Sequence, residues 1–534
     1  MSVGRIICIY FKNHKRRAVG IVLSIGMVTF LSLMPAQILR LLVDDAISSK
    51  NAEKLIQIAI VYLSTYFVIG ITTFIKDVVL LKTSLDITTD LKRNMMKHVE
   101  KMSYKALVQS DSGTLEAYFN NDVIAINELF TSGVVNMATD LFKMIGIVIS
   151  IFIFSPIFGL IVLGVLPFLV LFTSFIRKRM LKAQLKTKSL EGNVNKILLE
   201  NVENIEQVKV NKVETYATDQ YDQVLNNHFK VSQSSNLYDA LFSPVMQIVR
   251  NAVVCCVLLI SGYQASFFAM SVGEIIAAIS LLTDLFTPIE NLGMEIQTIQ
   301  KSVAAIKRIQ LFFKTETDFP KIEVPLESFD IRFENVSFAY DEKSVLKNFN
   351  LDIKQGDKIA LQGPSGSGKS TIMKLAIGLI SPSSGRVEIG GVPNASLSDS
   401  ARRDLFAIVY QDPFFSGGTI YEEISLKDPA ITKKMVTEAL KQVGLEYIFD
   451  LDSVLNEKEY SSGELVLLNI ARVIVRNPKI IFLDEMNAKI DPLTGKNMID
   501  LINQIAKDKT VISINHYGSV LDHATTISLN PISD

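Results

Sequence analysis

The chain has 534 residues, 49% of them hydrophobic, with a formal net charge of −1. That length exceeds what one hydrophobic core serves, and a mean hydropathy of +0.30 is high for a soluble enzyme. The near-zero charge excludes nucleic acid as a general electrostatic partner, and three cysteines, Cys8 and the adjacent Cys255 and Cys256, are too few for a disulfide framework.

In chain order, the first 300 residues hold six candidate stretches of the ~20 mostly apolar residues needed to cross a bilayer. They fall near Ala18–Leu42, Leu55–Leu81, Val134–Phe154, Ile157–Ile176, Leu241–Gly262 and Val272–Leu292. Arg5, Lys12, Lys15, Arg16 and Arg17 precede the first, and Arg177, Lys178, Arg179, Lys182, Lys186 and Lys188 follow the fourth. The positive-inside rule puts the N-terminus in the cytosol, and six crossings return the chain to that side. No cleavable signal peptide is evident. The polar stretches between spans two and three, and four and five, keep helical spacing and predict rigid struts entering the cytosol.

Ionisable residues inside the spans give the only direct clue to what is handled. Asp140 and Lys143, Arg250, and Asp284 lie at similar middle depths, with Glu290 nearer the cytosol. Charges at such depth are costly and face a bundle interior or a water-filled cavity. Two readings stand: they line a polar cavity for an amphipathic or zwitterionic cargo such as a peptide, or Asp140 or Asp284 pairs with Lys143 or Arg250 as structural glue.

Past a charged, proline-containing linker at 314–328, the region 329–534 changes character. GPSGSGKS at Gly363–Ser370 fits the phosphate-loop pattern: glycines at 363, 366 and 368 let successive amides face phosphate oxygens, Lys369 reaches the β- and γ-phosphates, and the Ser370 hydroxyl ligates Mg²⁺. Pro364, Ser365, Ser367 and Thr371 complete the candidate ATP-binding set of this loop. KIALQ before it reads as a strand and STIMKLAIGLI after it as a helix. IIFLDE at Ile480–Glu485 reads as a buried strand ending in two acids, which puts Asp484 near the metal and Glu485 where it polarises the attacking water.

With YSSGE at Tyr460–Glu464 just upstream of that strand, this region resembles the nucleotide-binding domain of an ATP-binding cassette (ABC) transporter. The resemblance implies that Tyr340 stacks on adenine and that Gln411 senses Mg²⁺ and the transport domain. It also implies that Ser461, Ser462, Gly463 and Glu464 form the signature facing a partner's ATP, that Asp491 belongs to the D-loop, and that His516 contacts the γ-phosphate. Ser462 stands where a second glycine is usual, Glu464 replaces a glutamine, LVLLN follows where basic and glutamine residues are common, and AKID replaces SALD. A carboxylate at 464 would repel triphosphate unless turned outward or paired.

Residues 1–313 resemble the helical transmembrane domain of exporter-type (type IV) ABC proteins, with Ser110–Asp122, Glu200–Thr215 and the entry to the sixth span as supporting segments. The strut tips near Ser110–Leu115 and Val208–Glu214 are then coupling helices docking beside Gln411–Phe415. The fold expected is an α-helical transmembrane domain plus an α/β P-loop cassette. The expected activity is ATP-driven export in a bacterial cytoplasmic membrane, with the cassette cytosolic, by a homodimer or a pair with a related half-transporter. An ATP-gated channel or regulator and an importer are the alternatives. Few residues precede the first span or follow His516, so neither a leader-cleaving peptidase domain nor a long C-terminal tail is expected.

Overall fold

The computed structural model describes residues 10–154, 156–263, 271–318, 323, 325–340, 343–410, 412–484, 492–515, 521 and 523–530. The expectations placed on Gln411, Glu485, Asp491 and His516 lie outside the described residues. The chain divides into two units, one of residues 1–100 and 111–315, the other of residues 101–110 and 316–534.

The first unit is helical: α1 Lys15–Leu41, α2 Ala52–Val99, then α4 Ser112–Ala117, α5 Val123–Glu128 and α6 Val134–Phe154 in near-continuous series, α7 Pro156–Glu203, α8 Ile205–Asn211, α9 Glu214–Tyr263 and α10 Val272–Phe312. Local chemistry sets the starts. Asn51 accepts from the amides of Glu53 and Lys54 at 3.0 and 3.1 Å ahead of α2, and Ser271 and Glu274 form a reciprocal capping box on α10. Pro156 opens α7, where its missing N–H would be unpartnered in any case.

Five helical segments are long and apolar enough to cross a membrane among the described residues: Lys15–Ile47, Ala52–Val99, Ser112–Phe154, Phe158–Glu203 and Val272–Phe312. The fifth stretch expected from sequence, Leu241–Gly262, lies in α9. A 48-residue helix such as α2 or α7 runs about 70 Å, more than twice the hydrocarbon thickness, so the helices continue far into water. The core of this unit follows α10, whose Ala277, Ala278, Leu281, Leu282, Leu285, Phe286 and Ile289 form a buried stripe at helical spacing, packed with Ile147, Ile151 and Met246.

Two π-helical turns, Tyr118–Asp122 and Leu129–Gly133, interrupt the α4–α6 series. The first lies where Asp122 turns inward, 3% exposed, against the Arg308 guanidinium, whose Nε donates to both carboxylate oxygens at 3.1 and 3.0 Å.

Residues 101–110 group with the second unit. Ser103 caps the short helix α3, Tyr104–Gln109, by accepting from Ala106 N at 3.2 Å. The expected tip Ser110–Leu115 spans the junction between α3, which Ser110 ends, and α4, which Asp111 caps by accepting from Thr114 N at 3.1 Å. Ser103 N donates to Glu316 O and Asp318 N to Lys101 O, at 3.0 and 2.9 Å, and the Lys374 ammonium stands 5.6 Å from the Tyr104 ring centre.

The rest of the second unit is α/β. An antiparallel sheet of order β2-β1-β4-β5 (β1 Ile331–Tyr340, β2 Lys343–Ile353, β4 Ser384–Ile389, β5 Val392–Pro393) accompanies a parallel sheet of order β6-β7-β8-β3-β9. The parallel strands are β3 Lys358–Gln362, β6 Phe406–Val409, β7 Ile480–Asp484, β8 Thr510–Asn515 and β9 Thr525–Ser528. Ile480, Ile481, Phe482 and Leu483 are all buried, the unbroken apolar run of a parallel strand covered on both faces.

Candidate nucleotide-binding site

The parallel register brings the chemistry to one edge. Gln362 at the end of β3 pairs with Asn515 at the end of β8, and Asp484 at the end of β7 pairs with Ile514. The Gly363–Gly368 loop and Asp484 therefore sit at the carboxyl ends of β3 and β7, the two strands that flank β8, where α/β sheets bind ligands.

The loop then turns into α11, Lys369–Ile377. Gly366 and Gly368 hold φ of +83° and +93°, a region side chains avoid. Gly363 has no room for a side chain: an added Cβ would strike the Leu529 carbonyl and come within 2.7 Å of Ser367 Oγ. Lys369 is 5% exposed and its Nζ donates to the carbonyls of Gly363 and Pro364 at 2.7 and 3.1 Å, arching over the loop. Ser367 Oγ is buried with no hydrogen-bond partner among the described residues, as expected of a cradle whose polar lining faces an anion. Ser370 is exposed, Thr371 is buried, and Pro364, Ser365 and Gly366 form the open rim. Tyr340 ends β1 half-exposed, its ring edge-on to Phe338 at 4.8 Å.

Ser461 caps α15, Ser462–Arg476. The Glu464 side chain is turned back: its Oε2 accepts from Ser461 N at 2.7 Å and Ser461 Oγ at 2.8 Å, and its Oε1 accepts from the Tyr447 hydroxyl. The Tyr447 hydroxyl and the Ser461 donors hold the Glu464 carboxyl below its usual range, while burial and that carboxylate push the Tyr447 phenol up to about 12. Ser462 is exposed and Gly463 half-buried. Tyr447 had no motif to flag it; it lies 17 residues before Glu464.

Farther along α15, Arg472 and Glu423 form a buried ion pair at 2.8 Å. Nothing in the motif spacing singled them out, although an arginine on a largely apolar helix face signals a buried partner.

In the membrane unit, Asp140 on α6 accepts from Asn291 Nδ2 on α10 at 3.1 Å, and Glu295, one turn beyond Asn291 and 5% exposed, lies in hydrogen-bond reach of Asp140. The i, i+4 spacing of Asn291 and Glu295 was the signal sequence reading passed over. Lys143, Arg250 and Asp284 are each half-buried, and among the described residues no ion pair joins Asp140 or Asp284 to Lys143 or Arg250. A separate cavity of about 230 Å³ between α7 and α10 is lined by Thr173, Arg177, Lys178, Gln184, Gln297 and Gln300 over apolar Val170, Ile289 and Leu292.

Comparison with known proteins assigns both halves. The model of the ABC transporter transmembrane region matches residues 18–289, and the ABC transporter cassette model matches residues 346–488. The Bacillus subtilis uncharacterized ABC transporter ATP-binding protein YknV is 28% identical over 91% of this chain and 82% of its own length. An ATP-dependent lipid A-core flippase of Syntrophus aciditrophicus is 24% identical over the same shares, and the probable multidrug resistance ABC transporter ATP-binding/permease protein YheH of Bacillus subtilis is 26% identical over 82% and 67%. In fold, the structure of a bacterial Atm1-family ABC exporter with ATP bound superposes with a TM-score of 0.80 at 21% identity, covering 97% of this chain and 94% of that one. A phosphate cradle at the edge of a parallel sheet, joined in one chain to membrane-length helices, thus has its family: this protein belongs to the ABC transporters, as an exporter-type half-transporter whose ATPase is coupled to transport.

Proposed function

We propose that the protein exports an amphipathic cargo, a peptide, drug or lipid, by alternating access, as a dimer of two copies that clasp two ATP molecules. A related half-transporter is the other partner this plan admits. The reading places residues 1–313 in a bacterial cytoplasmic membrane, with the linker 314–328 and the cassette 329–534 in the cytosol. The observation that carries it is the Lys369 arch over the Gly363–Gly368 loop, at the same sheet edge as Asp484 and one strand away from it. Released from two carbonyls by incoming phosphates, that ammonium is placed to neutralise the β- and γ-oxygens.

Mg²⁺ suits the donors present, because it accepts one hydroxyl and one or two carboxylates and takes its remaining oxygens from phosphate and water. The exposed Ser370 and half-buried Asp484 would hold it with Gln411, and it would neutralise phosphate charge there. Glu485 would orient and deprotonate the attacking water, His516 would hold the γ-phosphate, Asp491 would join the two copies, and Tyr340 would stack on adenine. One cassette offers one loop and one signature, so a shared ATP needs two chains.

For cargo, the relatives named as a lipid flippase and a probable multidrug transporter support an amphipathic class. The α7–α10 cavity combines an apolar wall with two cations and three amides, which fits an anionic or zwitterionic head on an apolar body. Asp140, Lys143, Arg250 and Asp284 remain candidate cavity residues.

The test uses the full chain in inside-out vesicles. Glu485→Gln should bind ATP and trap a closed dimer without turnover, Lys369→Ala should lose ATP binding, and the wild type should accumulate cargo only with ATP. Wild-type turnover in Glu485→Gln would refute the water-activating role, and ATP-dependent conductance in a planar bilayer without accumulation would replace the pump by a channel.

A further inference from the structure

The N-terminal turn of α15 already holds an anion of its own. Glu464 Oε2 accepts from both Ser461 N (2.7 Å) and Ser461 Oγ (2.8 Å), and Glu464 N in turn donates to Ser461 Oγ at 3.2 Å. A serine hydroxyl has one proton, and here it is given to the carboxylate. The amides of Ser462 and Gly463 are the first-turn donors left over, since the opening N–H groups of a helix have no intrahelical acceptor. The Tyr447 hydroxyl holds the other carboxylate oxygen from outside the helix. A carboxylate at a helix N-terminus is favourably placed, and a hydrogen bond to an ionised acceptor is roughly twice as strong as a neutral one.

We propose that Glu464 is a positioning residue that withholds the Ser461 hydroxyl, so that the γ-phosphate of an ATP held by a second copy of this chain must displace a carboxylate before the signature closes on it. The inference rests on the shared-ATP dimer proposed above. It names the negative group standing where the incoming phosphate needs a donor, and it makes closure of the two cassettes slower to commit and more demanding of ATP. A glutamine at 464 would keep the cap geometry, because its amide oxygen still accepts from Ser461 N, yet it would grip the hydroxyl weakly and carry no charge toward triphosphate.

Steady-state Mg-ATP hydrolysis by the full-length protein in lipid nanodiscs tests this with Glu464→Gln, Ser461→Ala, the double variant and Tyr447→Phe. Glu464→Gln should lower KM for ATP by about tenfold, the worth of one charge-assisted hydrogen bond, with kcat equal to or above wild type and an unchanged unfolding midpoint. Tyr447→Phe should shift KM in the same direction by less. In the Ser461→Ala background the gain from Glu464→Gln should vanish, which a purely structural or long-range charge role would not produce. An unchanged or raised KM in Glu464→Gln overturns the proposal, as does an equal gain with and without the Ser461 hydroxyl. Lys369→Ala reports on nucleotide use alone, so a failure of the ATPase reading shows there and not in the Ser461–Glu464 cycle.

Discussion

Arg472, 12% exposed on α15, ties that helix to the segment following Gln411. It reaches the Glu423 carboxylate at 2.8 Å, donates to the Glu423 carbonyl at 2.6 Å and to the Phe414 carbonyl at 2.9 Å, and lies 4.3 Å from the Phe415 ring centre. Glu423, 2% exposed, passes the tie on by accepting from Ser416 N at 3.0 Å and Gly418 N at 2.8 Å. The signature helix and the 412–418 loop are thereby one mechanical piece.

Arg472→Met keeps most of the volume and strands a buried carboxylate. Removing one partner of a buried pair costs roughly 3–5 kcal/mol. The unfolding midpoint of the detergent-solubilised protein should fall and cargo-stimulated ATPase should uncouple from transport; a midpoint within error of wild type would show that the pair is not a structural tie.

The same carboxylate sets an acid limit. Burial drives the Glu423 pKa up, but the Ser416 hydroxyl, the Gly418 and Ser416 amides and Arg472 outweigh it and leave the group below its ordinary value. A depressed folded pKa means that its contribution is complete above the unfolded value of about 4.3 and is lost as pH falls through the folded one. Midpoints measured between about pH 3 and 6 should drop toward acid in the wild type, and less steeply in Glu423→Gln, which starts lower near neutrality. Equal slopes would assign the acid loss to other carboxylates.

Two glycines of the phosphate loop separate strain from collision. Gly366 sits at φ +83° with nothing within 4 Å of an added Cβ, whereas Gly363 would drive a methyl into the Leu529 carbonyl, which is fixed in the chain beside the Leu529 N to Gln362 O bond of 2.8 Å. Gly366→Ala should cost about 1–2 kcal/mol of backbone strain and weaken binding of a fluorescent ATP analogue modestly. Gly363→Ala should weaken it by more than about tenfold. The reverse order would mean that the loop rearranges on binding.

How legible this was depended on whether function or packing chose the residue. The phosphate loop could be read from sequence because it must present amides at fixed spacing, and Asp484 because a buried strand ending in acids has few other uses. Glu464 was read as a departure, yet its resolution needed coordinates: Tyr447 is brought to it by tertiary folding, which no local spacing encodes. Arg472, Glu423 and Glu295 left at most weak local signals, an arginine on an apolar helix face and the i, i+4 spacing of Asn291 and Glu295, because each is defined by a partner on another element. The separate helix Tyr104–Gln109 ahead of the expected strut tip was not legible, because the pairing of 101–103 with 316–318 that groups it with the second unit is tertiary.

Asp122 and Arg308 make the equivalent tie within the membrane unit, joining the π-turn of the first strut to the C-terminal end of α10. Asp122 is 3% exposed but the Arg308 side chain is 52% exposed, so solvent screens part of the attraction and the desolvation burden falls on the acid. Arg308→Leu, which leaves that acid buried, should therefore destabilise by about 1–3 kcal/mol, and Asp122→Leu by less, because the freed guanidinium can turn to water. The double variant should lose less than the two singles together, a coupling read from a thermal unfolding cycle on the full chain in detergent. Strict additivity would show that the π-turn is held by its packing and not by this pair.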